Sequence, residues 1–426
     1  MESNKRTVNV PRYVIDLDLP ADQRWNEVID NHKEELKAAQ FILERDEIVG
    51  PLKMAKTVLG WFKSRVFYID ELRAIAKRGG LDLDGLVILQ LVYEACAHCT
   101  SIVVNDSETN LPLHIRTMDW ELELLRPLTI EVEFVKNGET VAIGTTWVGY
   151  LGILTGMHMR NQPYSVSVNF RVTGDSPMEN LTNAITGSWP IGFLLREVLT
   201  SPDSSFEKAR ANLTNSALIA PVYFTMAGSH RHAGCIITRN RKTEENPIDL
   251  DESNLTVIQT NCDHWSDDPE GDIMDSIARR ERAREFLQDN DHINGDAMWN
   301  LMGNWPIKNG ITVYGTIMIP SKGIFETRLP IGTQRAFNPK SETVIARNED
   351  TSVCRVCGDD VATLLNAPGS CLHPGDWHSE YDDCSYVKCG LGLGIERIGK
   401  QHWACCYSTD QTTSKCPKSK AHVFDQ

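Results

Sequence analysis

The sequence predicts an α+β fold of packed helical and β layers, followed by a small module rich in cysteine and histidine. Three observations carry that reading. Short β-rich runs crowd the chain after Cys99 and are separated by turn signals such as Asn137-Gly138. Helical periodicities come in blocks between groups of strands, so the pattern is layered rather than βαβ. Eight of the twelve cysteines fall between Cys354 and Cys416, where aliphatic residues are scarce.

Residues 7–20 alternate weakly and end in Asp18-Leu19-Pro20. Helical spacing follows over Trp25–Ala38, with Trp25, Val28 and Ile29 on one side, and over Leu52–Phe67, with Met54, Val58, Leu59 and Phe62. Leu86–Ala97 is apolar nearly all round, the mark of a buried helix. The next strands are Thr100–Asn105, Leu111–Met118, Leu128–Lys136, Val141–Trp147 and Tyr164–Asn169. Helices are expected over Gly187–Thr200 and Ser205–Asn215, then strands over Ala220–Ala227, Gly234–Arg239 and Asn254–Thr260. Helices at Asp275–Gln288 and Asp296–Met302 precede strands at Thr312–Ile319 and Gly323–Thr327. Beyond Gly332 the composition turns polar, which marks a linker.

The chain has 426 residues, 41% of them apolar, enough for a sizeable core. A net charge of −15 argues against a nucleic-acid partner. The run Arg279-Arg280-Glu281-Arg282-Ala283-Arg284 is interrupted by an acid and reads as a solvated helix face. No apolar stretch has the length of a signal peptide or of a transmembrane helix, so a cytoplasmic location is expected. A lysosomal or secreted one is the alternative if the N-terminus is incomplete. Four Asn-X-Ser/Thr triplets, at Asn105, Asn180, Asn212 and Asn254, carry little weight without a secretion signal.

Chemistry concentrates at Cys99-Thr100-Ser101-Ile102-Val103 and at His114-Ile115-Arg116-Thr117-Met118-Asp119. A thiol stands beside two hydroxyls at the head of an apolar strand, and an arginine and an aspartate follow on the next. Were the chain cut before Cys99, the thiol would be the nucleophile and its own α-amine the base. Their pKa values, about 8.5 and about 7.7–8.0, nearly balance, so no histidine is needed. An aspartate can orient the ammonium, and an arginine can stabilise the thiolate and a developing oxyanion. From the residues alone, a buried cysteine opening a strand and a plain Arg–Asp ion pair explain the same pattern. Cys96-Ala97-His98-Cys99 is also a Cys-X-X-Cys, but it lacks the flanks of a thioredoxin-like unit.

Further segments join these. They are Arg126-Pro127-Leu128-Thr129, Gly149-Tyr150-Leu151-Gly152-Ile153-Leu154-Thr155-Gly156 and Trp189-Pro190-Ile191-Gly192-Phe193-Leu194. Gly234-Cys235-Ile236-Ile237-Thr238-Arg239-Asn240-Arg241 and Gln259-Thr260-Asn261-Cys262-Asp263-His264-Trp265 complete the set. Together they resemble the acid ceramidase and N-acylethanolamine acid amidase family over roughly residues 10–330. The resemblance implies the N-terminal-nucleophile hydrolase fold, a four-layer αββα sandwich, and self-cleavage between His98 and Cys99. It implies Cys99 as nucleophile, Arg116 beside it, Asp119 on the amine, Asn261 as the oxyanion asparagine and Arg279 as a second arginine. The implied divisions are 1–98 as an N-terminal segment, 99–335 as the hydrolase chain, 336–350 as linker and 351–426 as the small module. The chain departs from the family at Cys262, where tyrosine is usual, at Thr117, where asparagine is usual, and at Phe170, where glutamate is usual. The implied substrate is an N-acyl lipid, a ceramide or an N-acylethanolamine, with no cofactor for catalysis. Residues of Tyr150–Met159 would either line an acyl groove or form ordinary core.

In the late segment, Cys354-Arg355-Val356-Cys357 is a Cys-X-X-Cys knuckle. Cys371, His373 and His378 follow, then Cys384 and Cys389, then Cys405, Cys406, Cys416 and His422. Thiolates and imidazoles at such spacing suit tetrahedral Zn²⁺, which would supply folding energy that the sparse core cannot. The order resembles a cysteine- and histidine-rich domain that binds two zinc ions and serves protein interaction. That resemblance implies Cys354, Cys357, Cys371, His373, Cys405, Cys406, Cys416 and His422 as ligands. A partner protein is then expected through this module. The competing readings are a zinc-dependent interaction protein on an inactive hydrolase fold, and a cysteine acylase of the bile-salt or penicillin type.

Overall fold

A computed structural model of the chain describes residues 7–37, 67–91, 98–120, 122, 125–171, 173, 183, 187–265 and 275–330, with 377–378 and 402–403. The chain divides into two compact units, Val8–Leu329 and Met1–Thr7 with Pro330–Gln426. In the second unit β15 (Trp377–His378) and β16 (His402–Trp403) form a two-stranded antiparallel ladder. The linker 336–350 and all eight proposed zinc ligands lie outside the described residues.

The first unit is built on two sheets. Six strands run in the order β1 (Thr7–Asn9), β14 (Ile324–Pro330), β13 (Thr312–Ile319), β4 (Pro112–Asp119), β3 (His98–Asn105), β12 (Thr256–Gln259). The second sheet runs β11 (Glu244–Asp249), β10 (Gly234–Arg239), β9 (Val222–Gly228), β8 (Tyr164–Phe170), β7 (Thr155–His158), β6 (Glu139–Trp147), β5 (Thr129–Lys136), β2 (Arg12–Asp16). β2 joins its edge parallel to β5, whereas β3 to β10 pair antiparallel.

Eight short helices complete the unit: α1 (Asn26–Asn31), α2 (Ile69–Gly79), α3 (Leu83–Leu89), α4 (Leu125–Leu128), α5 (Ile191–Thr200), α6 (Phe206–Asn215), α7 (Ser276–Asp289) and α8 (Gly295–Met302), counted among the described residues. α7 and α8 cover the outer face of the six-stranded sheet. There Ile102, Val104, Leu113, Ile115, Ile317 and Ile319 bury against Ala283, Phe286, Met298, Leu301 and Met302. α5 and α6 lie on the far face of the other sheet. α5 comes close to β7, because a Cβ on Gly156 would stand 2.5 Å from Leu199 Cδ1. Between the sheets, Val103 packs with Tyr223, Ala227, Ile236, Leu250 and Val257. The layers are therefore αββα, the sandwich that the sequence leads one to expect.

Every residue of β4, and all of β3 but Asn105, is buried. Both strands lie in the middle of the sandwich, so neither face meets water. Alternation on them sorts side chains between two dry layers instead of between core and solvent. Even positions of β3 (Ile102, Val104) face the helices, and odd positions (Cys99, Ser101, Val103) face the other sheet.

Several elements differ from the sequence reading, which contains neither α4 nor β7. α2 went unread, although its apolar stripe of Leu72, Ile75 and Ala76 is clear. β11 is a polar edge strand of the sequence Glu-Glu-Asn-Pro-Ile-Asp, which carries no apolar alternation. α5 starts at Ile191 rather than Gly187. Pro190 stands extended at its N-cap, and Gly187 has φ +87, which breaks the helix path.

Candidate active site

Strand register assembles the site. Cys99 opposes Met118, Ser101 opposes Arg116 and His98 opposes Asp119. On the other side of β3, Gln259 opposes Ser101, which carries Asn261 alongside Cys99 at the end of β12. Paired residues share a face. Cys99 and Arg116 therefore look toward the second sheet, whereas His98, Thr100 and Asp119 look toward α7.

On the inner face, Arg116 Nη2 donates to Cys99 Sγ at 3.0 Å and to the carbonyl of Val168 at 3.0 Å. Its Nη1 donates to Tyr314 Oη at 2.5 Å, and the guanidinium lies 5.3 Å from the centre of that ring. Tyr314 in turn meets Thr155 Oγ1 at 3.0 Å. Asn169, from β8, donates Nδ2 to the carbonyl of Cys99 at 3.2 Å and to those of Gln259 and Thr260 at 2.9 and 3.1 Å.

On the outer face, Arg279 from the first turn of α7 donates Nη1 to the Cys99 carbonyl at 2.7 Å and to Thr100 Oγ1 at 3.0 Å. The same nitrogen lies 3.8 Å from Asp119 Oδ2. Asp119 Oδ1 accepts from Thr312 Oγ1 at 2.6 Å. Asn261 Oδ1 accepts both the Cys99 N–H at 2.8 Å and Arg279 Nη2 at 3.0 Å. Asn261 Nδ2 donates to the carbonyl of Phe170 at 2.9 Å, and its backbone N–H donates to Ser276 Oγ at 2.7 Å. Three atoms of Cys99 are thus held separately: nitrogen by Asn261, sulfur by Arg116, carbonyl oxygen by Arg279 and Asn169.

Among the described residues, the site brings the buried Arg116 and Arg279 together with the buried Asp119. Burial pushes the Asp119 carboxyl above the ordinary carboxylate value, and the neighbouring Arg279 works against that shift. Burial raises the Tyr314 hydroxyl as well, with Arg116 opposing. The Arg116 guanidinium beside the sulfur is placed to stabilise negative charge that develops there.

The five proposed catalytic residues and His98 come together within this one site. The arginine run of α7 is solvated only on one side: Glu281 and Arg284 are exposed, whereas Ser276, Arg279, Arg280 and Ala283 form a buried stripe, and Arg280 Nη1 donates to the carbonyl of Asp263. Interrupted charge in a sequence does not reveal that a helix lies over a buried polar cluster. The oxyanion assignment of Asn261 also acquires a geometric condition. In this arrangement its N–H bonds go to Phe170, and its oxygen holds the nucleophile's nitrogen. Tyr150, Leu151, Ile153, Leu154 and Met157 are buried, as the core reading of that segment requires.

Sequence reasoning missed Asn169, Thr312, Tyr314 and Ser276. A signal existed for the first. Ser165-Val166-Ser167-Val168-Asn169 puts three polar residues on one face of a strand that is otherwise fully apolar. Thr312 and Tyr314 carry no such mark.

Known proteins resemble this chain. A family model described as the beta subunit of N-acylethanolamine-hydrolyzing acid amidase matches residues 8–64. Acid ceramidase of Pan troglodytes is 32% identical over 351 residues, spanning 75% of this chain and 86% of that protein. N-acylethanolamine-hydrolyzing acid amidase of Caenorhabditis elegans is 31% identical over 330 residues, spanning 72% and 88%. A solved structure of the Caenorhabditis elegans ortholog of that amidase aligns at 29% identity with a TM-score of 0.46, covering 52% of this chain and 93% of that one. At this identity over most of both partners, the chain belongs to the family of acid ceramidase and N-acylethanolamine-hydrolyzing acid amidase.

Proposed function

We propose that this chain is a self-processing cysteine amidohydrolase that cleaves the amide of an N-acyl lipid, a ceramide or an N-acylethanolamine, to a fatty acid and an amine. The observation that carries the reading is the threefold hold on Cys99. Asn261 Oδ1 lies where an α-amine would need an acceptor, and Arg116 lies on the sulfur. The names of the relatives point to the same bond, an amide between a fatty acyl group and an amine.

The mechanism follows from those contacts. Cleavage of the His98–Cys99 bond turns the Cys99 N–H into an amine. The amine takes the thiol proton, and the thiolate, held by Arg116, attacks the substrate carbonyl. The oxyanion forms beside Arg116 and draws on it, and on Asn261 once its Nδ2 exchanges Phe170 for the substrate. The α-ammonium, oriented by Asp119 and Asn261, returns its proton to the leaving amine as the C–N bond breaks. A thioester remains. Water, deprotonated by the same α-amine, then releases the fatty acid and restores the thiol.

The test is a denaturing gel with mass spectrometry of both bands, alongside hydrolysis of N-acyl amides. Expected are pieces 1–98 and 99–426 and amide cleavage, both absent in Cys99→Ala. An intact chain without activity refutes the reading. The same site without lipid selectivity would favour a short-chain acylase.

The spacing of Cys354, Cys357, Cys371, His373, Cys405, Cys406, Cys416 and His422 supports a second part of the proposal, structural zinc and a protein partner for residues 351–426. Metal analysis of the full chain is expected to give two zinc ions per chain, lost to a strong chelator together with order in that segment. A metal-free full chain overturns it.

A further inference from the structure

A buried histidine lies between the sheets, outside the set that the mechanism uses. His114 shares its face of β4 with Arg116 and is fully enclosed. Its Nδ1 meets Ser165 Oγ at 2.9 Å and its Nε2 meets Ser167 Oγ at 2.8 Å. Ser167 Oγ meets Ser101 Oγ at 2.8 Å, and Ser101 Oγ meets Asn169 Oδ1 at 2.7 Å. Asn169 ends on the carbonyl of Cys99.

Each hydroxyl has one proton, so the chain can be read in only one direction. Asn169 Nδ2 is surrounded by the carbonyls of Cys99, Gln259 and Thr260, none of which can donate. Its Oδ1 must therefore face Ser101 and accept. Ser101 spends its proton there and must accept from Ser167. Ser167 spends its proton on Ser101 and must accept from His114 Nε2. That nitrogen carries the ring proton. Burial, with Arg116 nearby, keeps the imidazole neutral, so Nδ1 accepts from Ser165. The alternative acceptor of Ser165, the carbonyl of Ala227, is farther away at 3.4 Å.

We propose that His114 is a positioning residue, whose Nε2–H sets the direction of a hydrogen-bond chain through Ser167 and Ser101 that aims Asn169 at the Cys99 carbonyl and so fixes the nucleophile against the Asn261 loop. The chain explains why five polar side chains stand between two sheets that would otherwise close on aliphatic residues. Without an imidazole donor at its head, Ser167 is free to reverse. Ser101 can then turn its proton away from Asn169, whose amide loses the constraint on its orientation. The inference rests on the reading of Cys99 as the nucleophile.

Two measurements on the full chain test it. In the Cys99→Ala chain with ¹⁵N-labelled histidine, nuclear magnetic resonance is expected to show one ring with Nε2 protonated and Nδ1 bare, lost in His114→Leu. The opposite tautomer, or an imidazolium, overturns the proposal whatever the enzyme does. In the cleaved enzyme, His114→Leu and Ser101→Ala are expected to lower kcat per alkylatable Cys99 by about ten- to a hundredfold, with KM changed less than about twofold. His114→Gln, which keeps an N–H donor where Nε2 stands, is expected to recover most of that loss. Unchanged kcat in His114→Leu, or a Gln variant no better than Leu, overturns the proposal. Should the wild-type chain hydrolyse no N-acyl amide, the amidase reading falls and the tautomer alone decides the chain's direction.

Discussion

Glu71 offers a quantitative test of how the two pieces of a cleaved chain stay together. It lies on α2, in the segment before Cys99, yet its carboxylate is 2% exposed and bonds across the proposed cut. Oε1 accepts from Arg196 Nη2 on α5 at 2.8 Å and from Arg24 Nη1 at 2.8 Å, while Oε2 accepts from Trp25 Nε1 at 2.6 Å. Arg196 is itself 1% exposed and lies 3.9 Å from the centre of the Tyr68 ring. Glu71→Ala would strand a buried guanidinium, a loss of about 3–5 kcal/mol. Arg24 is partly exposed and rehydrates, so it adds little. At about 1.4 kcal/mol per tenfold, the affinity of 1–98 for 99–426 should fall by roughly a hundred- to a few-thousandfold. The assay is gel filtration of the cleaved enzyme across a dilution series, with urea unfolding of the uncut Cys99→Ala chain as control. The control should lose the same 3–5 kcal/mol. A Glu71→Ala chain within about 1 kcal/mol of its parent would refute the argument, since it would mean that water or another acceptor already serves Arg196.

Two further predictions concern the site. Arg116→Met should slow alkylation of Cys99 and reduce kcat by about 10²–10³, a loss that Lys only partly restores, because one ammonium cannot reach sulfur, Tyr314 and the Val168 carbonyl together; equal rates in Met and wild type would sink the electrostatic reading. Asp119→Asn should change the pH dependence of stability in the uncut chain. Burial raises the folded carboxyl, so the folded state holds more protons, and stability falls as pH rises from the ordinary carboxylate value through the raised one. Removing the group should therefore favour the Asn variant increasingly across that window, and a difference flat in pH would contradict it.

Much of this architecture could be read from residues alone, for a physical reason. The strands of 99–170 are β-branched runs with turn residues between them, and the αββα order then follows from the resemblance. The residues alone drew attention to Cys99, Arg116 and Asp119, whose chemistry is rare on apolar strands, while their roles, and Asn261 and Arg279, came from the resemblance. Tyr314 and Thr312 were not legible, because a tyrosine and a threonine on an apolar strand are ordinary packing until register places Thr312 opposite Asp119 and Tyr314 opposite Met118, from where its hydroxyl meets Arg116. β11 escaped because an edge strand needs only backbone bonds on one side, and its side chains obey no alternation.

The positions of β1 and β2 bear on the order in which such a chain is made. Each is the terminal strand of a different sheet, so the segment before Cys99 shields an edge of both β14 and β5. A chain beginning at Cys99 would present two long open edges with unpaired backbone donors, which invite pairing with other copies. Synthesis as one polypeptide delivers both edge strands at the effective concentration of a tether, before any cut. Expressing 99–426 by itself, to bypass self-cleavage, therefore invites aggregates, whereas co-folding it with 1–98 restores both margins.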